Sequence, residues 1–287
     1  MIKIIVCVKQ VPDPTVVKFN IETGKLDNVN YLIDPVDEVA VSEAIRIRER
    51  DSGKVTVISL GPIHAEEALR TALKMGANEA VHLCDEAFDN LDSYSTSIII
   101  AKQIAKLEYD IILCGRESAD ENNGFMGAAL AEWLDLPLVT AVTRLDVFSD
   151  TKTARVHRRL RGGDREILEC SLPAVFTVET VLRKPVYAPL KTILAGIKKE
   201  VKKVDAKALG IDARSIEPAV AMLSISQPKP RLKKTATIDS KLSAHERMKL
   251  LMSGGVQQKG SKTIEKPPID AAKEIIQFLI NNGIITK

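Results

Sequence analysis

Residues 1–148 alternate short apolar runs with longer segments of helical periodicity. Ile4 to Val8, Val55 to Leu60, Ala80 to Leu83 and Asp110 to Cys114 read as buried strands. In "DPVDEVAVSEAIRIRER", Asp34 suits an N-cap and Pro35 the first helical position, while Asp37 and Glu38 place charge where the helix dipole favours it. Val36, Val39, Ala40 and Ile47 can then share one stripe. A second helix, from about Ile63 through "HAEEALRTALKMG", stops at Gly76 as a glycine C-cap stops a helix. This alternation predicts an α/β fold: a Rossmann-like parallel sheet flanked by helices.

After about Thr140 the pattern changes. "VTRLDVF", "TARVHRRLRGGDREILEC" and "AVFTVET" are short β-like segments, read as antiparallel additions to the sheet, with Gly162-Gly163 marking a tight turn. From about Arg183 lysine and proline accumulate ("RKPVYAPLKTILAGIKKEVKK", "SQPKPRLKK"), which predicts an extended C-terminal arm lying on another surface. Two last helices are expected, Ser243 to Met252, ended by Gly254-Gly255, and Asp270 to Asn281. The chain therefore divides into a nucleotide-binding α/β domain (1–182), a partner-wrapping arm (183–235) and a helical tail (236–287).

Composition excludes several classes. Of 287 residues, 45% are hydrophobic and 28% charged, as in ordinary globular proteins, and the formal net charge of +3 gives no strong pull toward polyanions. Aromatic content is only 4% and the basic segments lack interleaved aromatics, so no nucleic-acid partner is expected. No run reaches ~18 apolar residues, so the chain is not expected to be membrane-embedded. The four cysteines, Cys7, Cys84, Cys114 and Cys170, are far apart and form no C-x-x-C pair, in keeping with a reduced, cytoplasmic compartment. Cys7 and Cys114, inside apolar strands, read as inert small hydrophobes.

The candidate chemistry lies in "GRESADENNGFMGAALAEWLDLP", Gly115 to Pro137, where a buried run ends at a glycine and a small-residue helix follows. The first turn of such a helix offers unpaired N–H groups and the positive end of a dipole. Gly124 and Gly127 would let a phosphate approach; equally, Asn122 or Asn123 caps the helix and the glycines serve packing. Glu117, Asp120 and Glu121 could hold magnesium beside phosphates or simply cap. No P-loop or G-x-G-x-x-G is present. His64, His82, His157 and His245 belong to no nucleophile–base set, and no catalytic residue and no metal site are expected. Arg155, Arg158, Arg159, Arg161 and Arg165 surround the Gly162-Gly163 turn, as a solvated hairpin or a docking surface for an acidic partner or flavin phosphate.

"VCVKQVPD", "DPVDEVAVSEAIRIRE", "VISLGP" with "EALRTALKMGANEAVHL", the Gly115–Pro137 loop, "LRGGDREILECSLPAVFTVE" and "RKPVYAPLKTILAGIKK" occur in an order that resembles the β subunit of electron-transferring flavoproteins, from residue 1 to about 212. The resemblance implies an electron-carrier subunit that is not itself an enzyme. Its α-subunit partner would carry the redox-active FAD, and the heterodimer would shuttle electrons from flavin-dependent dehydrogenases, such as acyl-CoA dehydrogenases, to a membrane quinone oxidoreductase or another acceptor. The β subunit would itself hold AMP, or a second FAD in members that bifurcate electrons from NADH. Carried over, the nucleotide site comprises Cys7, Asp34, Pro35, Val36, Asp37, Leu60, Gly115, Arg116, Asp120, Asn122, Asn123, Gly124, Phe125, Met126 and Gly127. Asp34, Phe125 and Met126, with Arg159 and Arg161 in the hairpin, depart from the family's usual residues. Tyr187, Leu190 and Ile193 fall on the family's recognition loop for partner dehydrogenases. The alternative from another class is a stand-alone enzyme of the same superfamily that binds adenylates or hydrolyses ATP.

Overall fold

The computed structural model describes residues 1–13, 15–16, 18–20, 23, 26–27, 29–185, 187–212, 218–220, 223, 243–252 and 265–281. These fall into two units, 1–227 and 228–287. In the first, β1 (Lys3–Cys7) leads into four short strands, β2 (Gln10–Pro12), β3 (Lys18–Phe19), β4 (Leu26–Asp27) and β5 (Tyr31–Ile33), with β2 antiparallel to β5 and β3 antiparallel to β4. Then follow α1 (Pro35–Asp51), β6 (Lys54–Leu60), α2 (Glu66–Met75), β7 (Glu79–Leu83), α3 (Ser93–Ile104), β8 (Ile111–Gly115), α4 (Met126–Trp133), β9 (Leu138–Phe148), β10 (Thr153–Arg159), β11 (Arg165–Ser171) and β12 (Ala174–Val178). Helix α5 (Leu190–Ile197), β13 (Val201–Val204) and α6 (Ala206–Leu209) complete this unit, and α7 (Ala244–Met252) and α8 (Pro268–Asn281) lie in the second.

The nine-stranded sheet runs in the order β11-β10-β9-β12-β8-β1-β6-β7-β13. From β1 the chain winds outward through β6 and β7, then α3 returns it to β8 on the other side of β1. The strand order therefore reverses between β1 and β8, the switch point at which open α/β sheets leave a crevice beyond their carboxyl ends. Buried Ala40, Val41, Ala44 and Ile47 of α1 and Leu69, Ala72 and Leu73 of α2 cover one face. Ile99, Ile100 and Ile104 of α3, Leu130 of α4 and Leu209 of α6 cover the other.

The strands and helices expected from periodicity in residues 1–148 are present to within about three residues, α2 beginning at Glu66 after a 3-10 turn over Ile63–Ala65, and Asp34 caps α1 by accepting the Val36 N–H at 2.8 Å. Helix α3 was not among the expected elements. Its signals are an Asp92 N-cap, which accepts the Ser95 N–H at 3.0 Å, and a stripe of Ile99, Ile100 and Ile104.

Two expectations are corrected. "AVFTV" is not an antiparallel addition: β12 lies parallel between β8 and β9, all five residues buried, because a strand covered on both faces is apolar throughout rather than alternating. Only β9, β10 and β11 form the antiparallel extension, with Gly162 (φ +90°) and Gly163 (φ +101°) in the turn. Nor is the start of the expected arm extended. Residues 190–209 form α5, which packs on α2, the edge strand β13 parallel to β7, and α6. Gly196 makes this packing possible, since a Cβ there would meet the Leu73 carbonyl oxygen at 2.4 Å. Most of the arm between 213 and 242, and Gly254-Gly255, lie outside the described residues.

Candidate functional site

A cavity of about 240 Å³ opens at the switch point. Its floor is apolar: Cys7 at the end of β1, Leu60 at the end of β6, Cys114 on β8, and Phe88, Ile100 and Met126 from the covering layer. Its rim is polar, with Lys9, Ser93, Arg116, Glu117, Glu121 and Asn123.

Two buried carboxylates of the α1 N-terminus hold the walls together. Asp37 accepts the Lys9 N–H at 2.7 Å with one oxygen and the Gly115 N–H at 3.0 Å with the other, tying the ends of β1 and β8. Burial, then the neighbouring Asp34 charge, push the Asp37 carboxyl up to about 8, against the pull of those two amides. Asp34 is fully buried, caps α1 through one oxygen, and with the other accepts the Ala119 N–H at 2.7 Å. Gly115 is required where it stands, because a Cβ would meet Asp37 Oδ1 at 2.5 Å.

The loop after β8 crosses the mouth. Asn122 (φ +53°) and Gly124 (φ +62°) turn it, and Asn123 Oδ1 accepts the Phe125 N–H at 3.2 Å just before α4. Across the mouth, Lys9 Nζ lies 2.8 Å from Asp120 Oδ2 and 3.1 Å from Glu121 Oε1. Burial works against the Asp120 charge, but the bonds from Lys9 and Ser118 hold its carboxyl below the ordinary value. Arg116 bonds Glu117 and reaches Glu179 at 3.0 Å, the Glu117 bond chiefly keeping its guanidinium charged.

Of the residues carried over from the resemblance, Cys7, Asp37, Leu60, Gly115, Arg116, Asn123, Gly124, Phe125 and Met126 line the cavity. Asp34, Pro35, Val36, Asp120, Asn122 and Gly127 do not, although the Asp34 N–H donates to the Lys9 carbonyl at 2.9 Å and Asp120 pairs with the Lys9 ammonium. Gly127 also serves packing: a Cβ on it would sit 2.1 Å from Thr177 Cγ2 of β12. Sequence reasoning missed Lys9, Phe88, Ser93 and Ile100. A lysine directly after an apolar strand was the only signal for the first of them.

Cys7 and Cys114 neighbour each other on the floor, and the bond to Cys7, with burial, pushes the Cys114 thiol well above its ordinary value. His82 is buried with Nε2 3.1 Å from the Gly61 carbonyl oxygen, and desolvation lowers its pKa. His64 stacks on Tyr31 with ring centroids 4.7 Å apart. In the hairpin, Arg155 bonds Glu169 at 3.0 Å and Arg158 bonds Glu166 at 2.7 Å, while Arg159 lies 3.9 Å from Glu179. Among the described residues no group of three or more His, Cys, Asp or Glu could hold a metal ion, and no helix is long and apolar enough to cross a membrane.

Away from the cavity, Tyr187 is fully exposed and Leu190 is 69% exposed at the first position of α5, behind Pro189. Leu194 and Ile197 continue the exposed stripe at 51% and 52%, whereas Ile193 is partly buried.

Fold and cavity together define a doubly wound α/β protein with a cavity at the reversal of strand order. The profile of the electron transfer flavoprotein domain matches residues 25–209, and the chain belongs to that family. It is 43% identical over 216 residues to the electron transfer flavoprotein subunit β of Thermoanaerobacterium thermosaccharolyticum, covering 74% of this chain and 82% of that one. It is 36% identical over 240 residues to the subunit of the same name in Clostridium acetobutylicum (83% and 89% covered). Caffeyl-CoA reductase-Etf complex subunit CarD of Acetobacterium woodii is 36% identical over 196 residues (67% and 74% covered). Family members of this kind are electron carriers rather than enzymes.

Proposed function

We propose that this chain pairs with an α subunit carrying a redox-active FAD, and that its own crevice holds the adenosine phosphate portion common to AMP and FAD. The observation that carries this is the position and make-up of the cavity: a closed apolar floor suited to a base, and a polar rim suited to ribose and phosphate, at the switch point of a doubly wound sheet. Cys7, Leu60, Phe88, Ile100 and Met126 would enclose the base. Lys9, Ser93 and Asn123 with the loop amides would face the phosphate. The adenosine phosphate portion itself supplies no reactive atom; it fills and orders the joint between β1, β6 and β8. Electrons pass through the flavin of the partner, from a flavin-dependent dehydrogenase to a quinone reductase or another acceptor. Tyr187 and the Leu190, Leu194 and Ile197 stripe form the dehydrogenase docking surface, on the support of their exposure and the resemblance of "VYAPLKTILAG" to the family's recognition loop.

Coexpression of the full chain with its α subunit tests the pairing, and equilibrium dialysis of the purified pair against AMP tests the cavity. Copurification with one saturable AMP site per chain is expected. Failure to copurify overturns the pairing, and absence of saturable uptake overturns the nucleotide assignment.

A further inference from the structure

The cations of the cavity lining are already neutralised from within the chain. Lys9 and Arg116 are its two basic residues, and each meets two carboxylates: Asp120 and Glu121 for Lys9, Glu117 and Glu179 for Arg116. One of these carboxylates is placed differently from the rest. Glu121 Oε1 lies 3.1 Å from Lys9 Nζ, and Glu121 Oε2 accepts from Ser93 Oγ at 3.0 Å and from Asn123 Nδ2 at 3.0 Å. Asn123 Nδ2 also bonds Ser93 Oγ at 2.6 Å, so the donors form one connected cradle. An ammonium, a hydroxyl and a carboxamide from three separate segments thus converge on a single anionic group, and all four residues line the cavity. Convergence of charge-assisted donors of this kind is how proteins hold phosphate oxygens.

We propose that Glu121 is an internal anion occupying the phosphate position of the cavity, and that it competes with the phosphate of the bound nucleotide. This rests on the nucleotide reading above. A phosphate entering beside Asp120 and Glu117 must displace the Glu121 carboxylate or meet its charge. Asp120 holds Lys9 in either state, and Glu121 is a half-exposed side chain on a loop, free to swing outward once displaced. The competition acts on the phosphate and leaves the base and ribose untouched. The cavity therefore distinguishes AMP from adenosine less than its donors would otherwise allow.

The test is a calorimetric titration of the full chain, copurified with its α subunit and freed of nucleotide, with AMP and with adenosine in parallel. Wild type is compared with Glu121→Gln, which keeps the shape, and Glu121→Ala, which clears the position. If the latch leaves the cradle open on the order of one tenth of the time, removing it tightens AMP about tenfold. Adenosine should change by less than about twofold. AMP uptake seen only in the variants supports the same conclusion. Weaker or unchanged AMP binding in both variants, with normal binding by wild type, overturns the competition and leaves the nucleotide reading in place. So does an equal gain for adenosine, which would make Glu121 a general obstruction. Absence of AMP binding by all three proteins overturns the nucleotide reading itself, and the latch with it.

Discussion

Substitution of Gly127 by alanine separates packing from ligand access. Gly127 lies in the first turn of α4, buried against β12, and the added methyl would sit 2.1 Å from Thr177 Cγ2. Thr177 cannot easily yield. It is 2% exposed, its β-branched side chain is stiff about χ1, and its Oγ1 accepts the Ala141 N–H at 3.1 Å. Alanine gains at most about 1 kcal/mol over glycine here, the value for a helix interior. Against that, overpacking costs about 1–3 kcal/mol, and rotating Thr177 away forfeits its hydrogen bond, roughly another 1 kcal/mol. The losses outweigh the gain, leaving a net destabilisation of about 1–3 kcal/mol, a fall in Tm of roughly 3–10 °C for a unit of this size. Thermal melting followed by circular dichroism measures it. Thr177→Ser removes the offending Cγ2, keeps the hydroxyl and by itself costs about 1 kcal/mol. In that background Gly127→Ala should be neutral or stabilising, a coupling of about 2 kcal/mol in the double-mutant cycle. A Gly127→Ala protein that melts at or above wild type with Thr177 intact would refute the packing role.

Two further outcomes are expected. The Asp37 carboxyl has its folded pKa raised to about 8, so its contribution to stability is fully present below the unfolded value near 3.8 and is lost as pH rises toward about 8. Tm measured from pH 5 to pH 8 should fall more steeply for wild type than for Asp37→Asn, and equal slopes would count against the assignment. Leu190→Ala and Leu194→Ala, on exposed positions of α5, should leave Tm within about 2 °C, because surface substitutions change stability by about 0.5 kcal/mol or less. On the proposed docking role, each should weaken binding of a flavin-dependent dehydrogenase about tenfold, for truncation of an anchor that buries its side chain is worth ~1.5–3 kcal/mol; a large loss of Tm with normal docking would assign these residues to the core.

Local physical chemistry made much of the parallel half of the sheet legible from the chain alone. Asp34, Pro35 and the acids that follow announce the start of α1, Gly76 announces the end of α2, and continuous apolar runs announce β1, β6, β7 and β8, because caps, fixed φ and strand burial act over a few residues. The Gly162-Gly163 turn was legible for the same reason. What "AVFTV" pairs with was not, since an apolar run carries no record of its neighbours, and insertion between β8 and β9 follows from the chain's return across the sheet. The two glycines of the cavity loop look alike in the sequence, yet Gly124 turns the loop at φ +62° while Gly127 lets α4 approach β12. Lys9 meets Asp120, and Ser93 meets Glu121, across long stretches of intervening chain. Such partners are chosen by which strand ends the crossover helices bring to one rim, and that choice is made by packing of the whole sheet rather than by any segment of it.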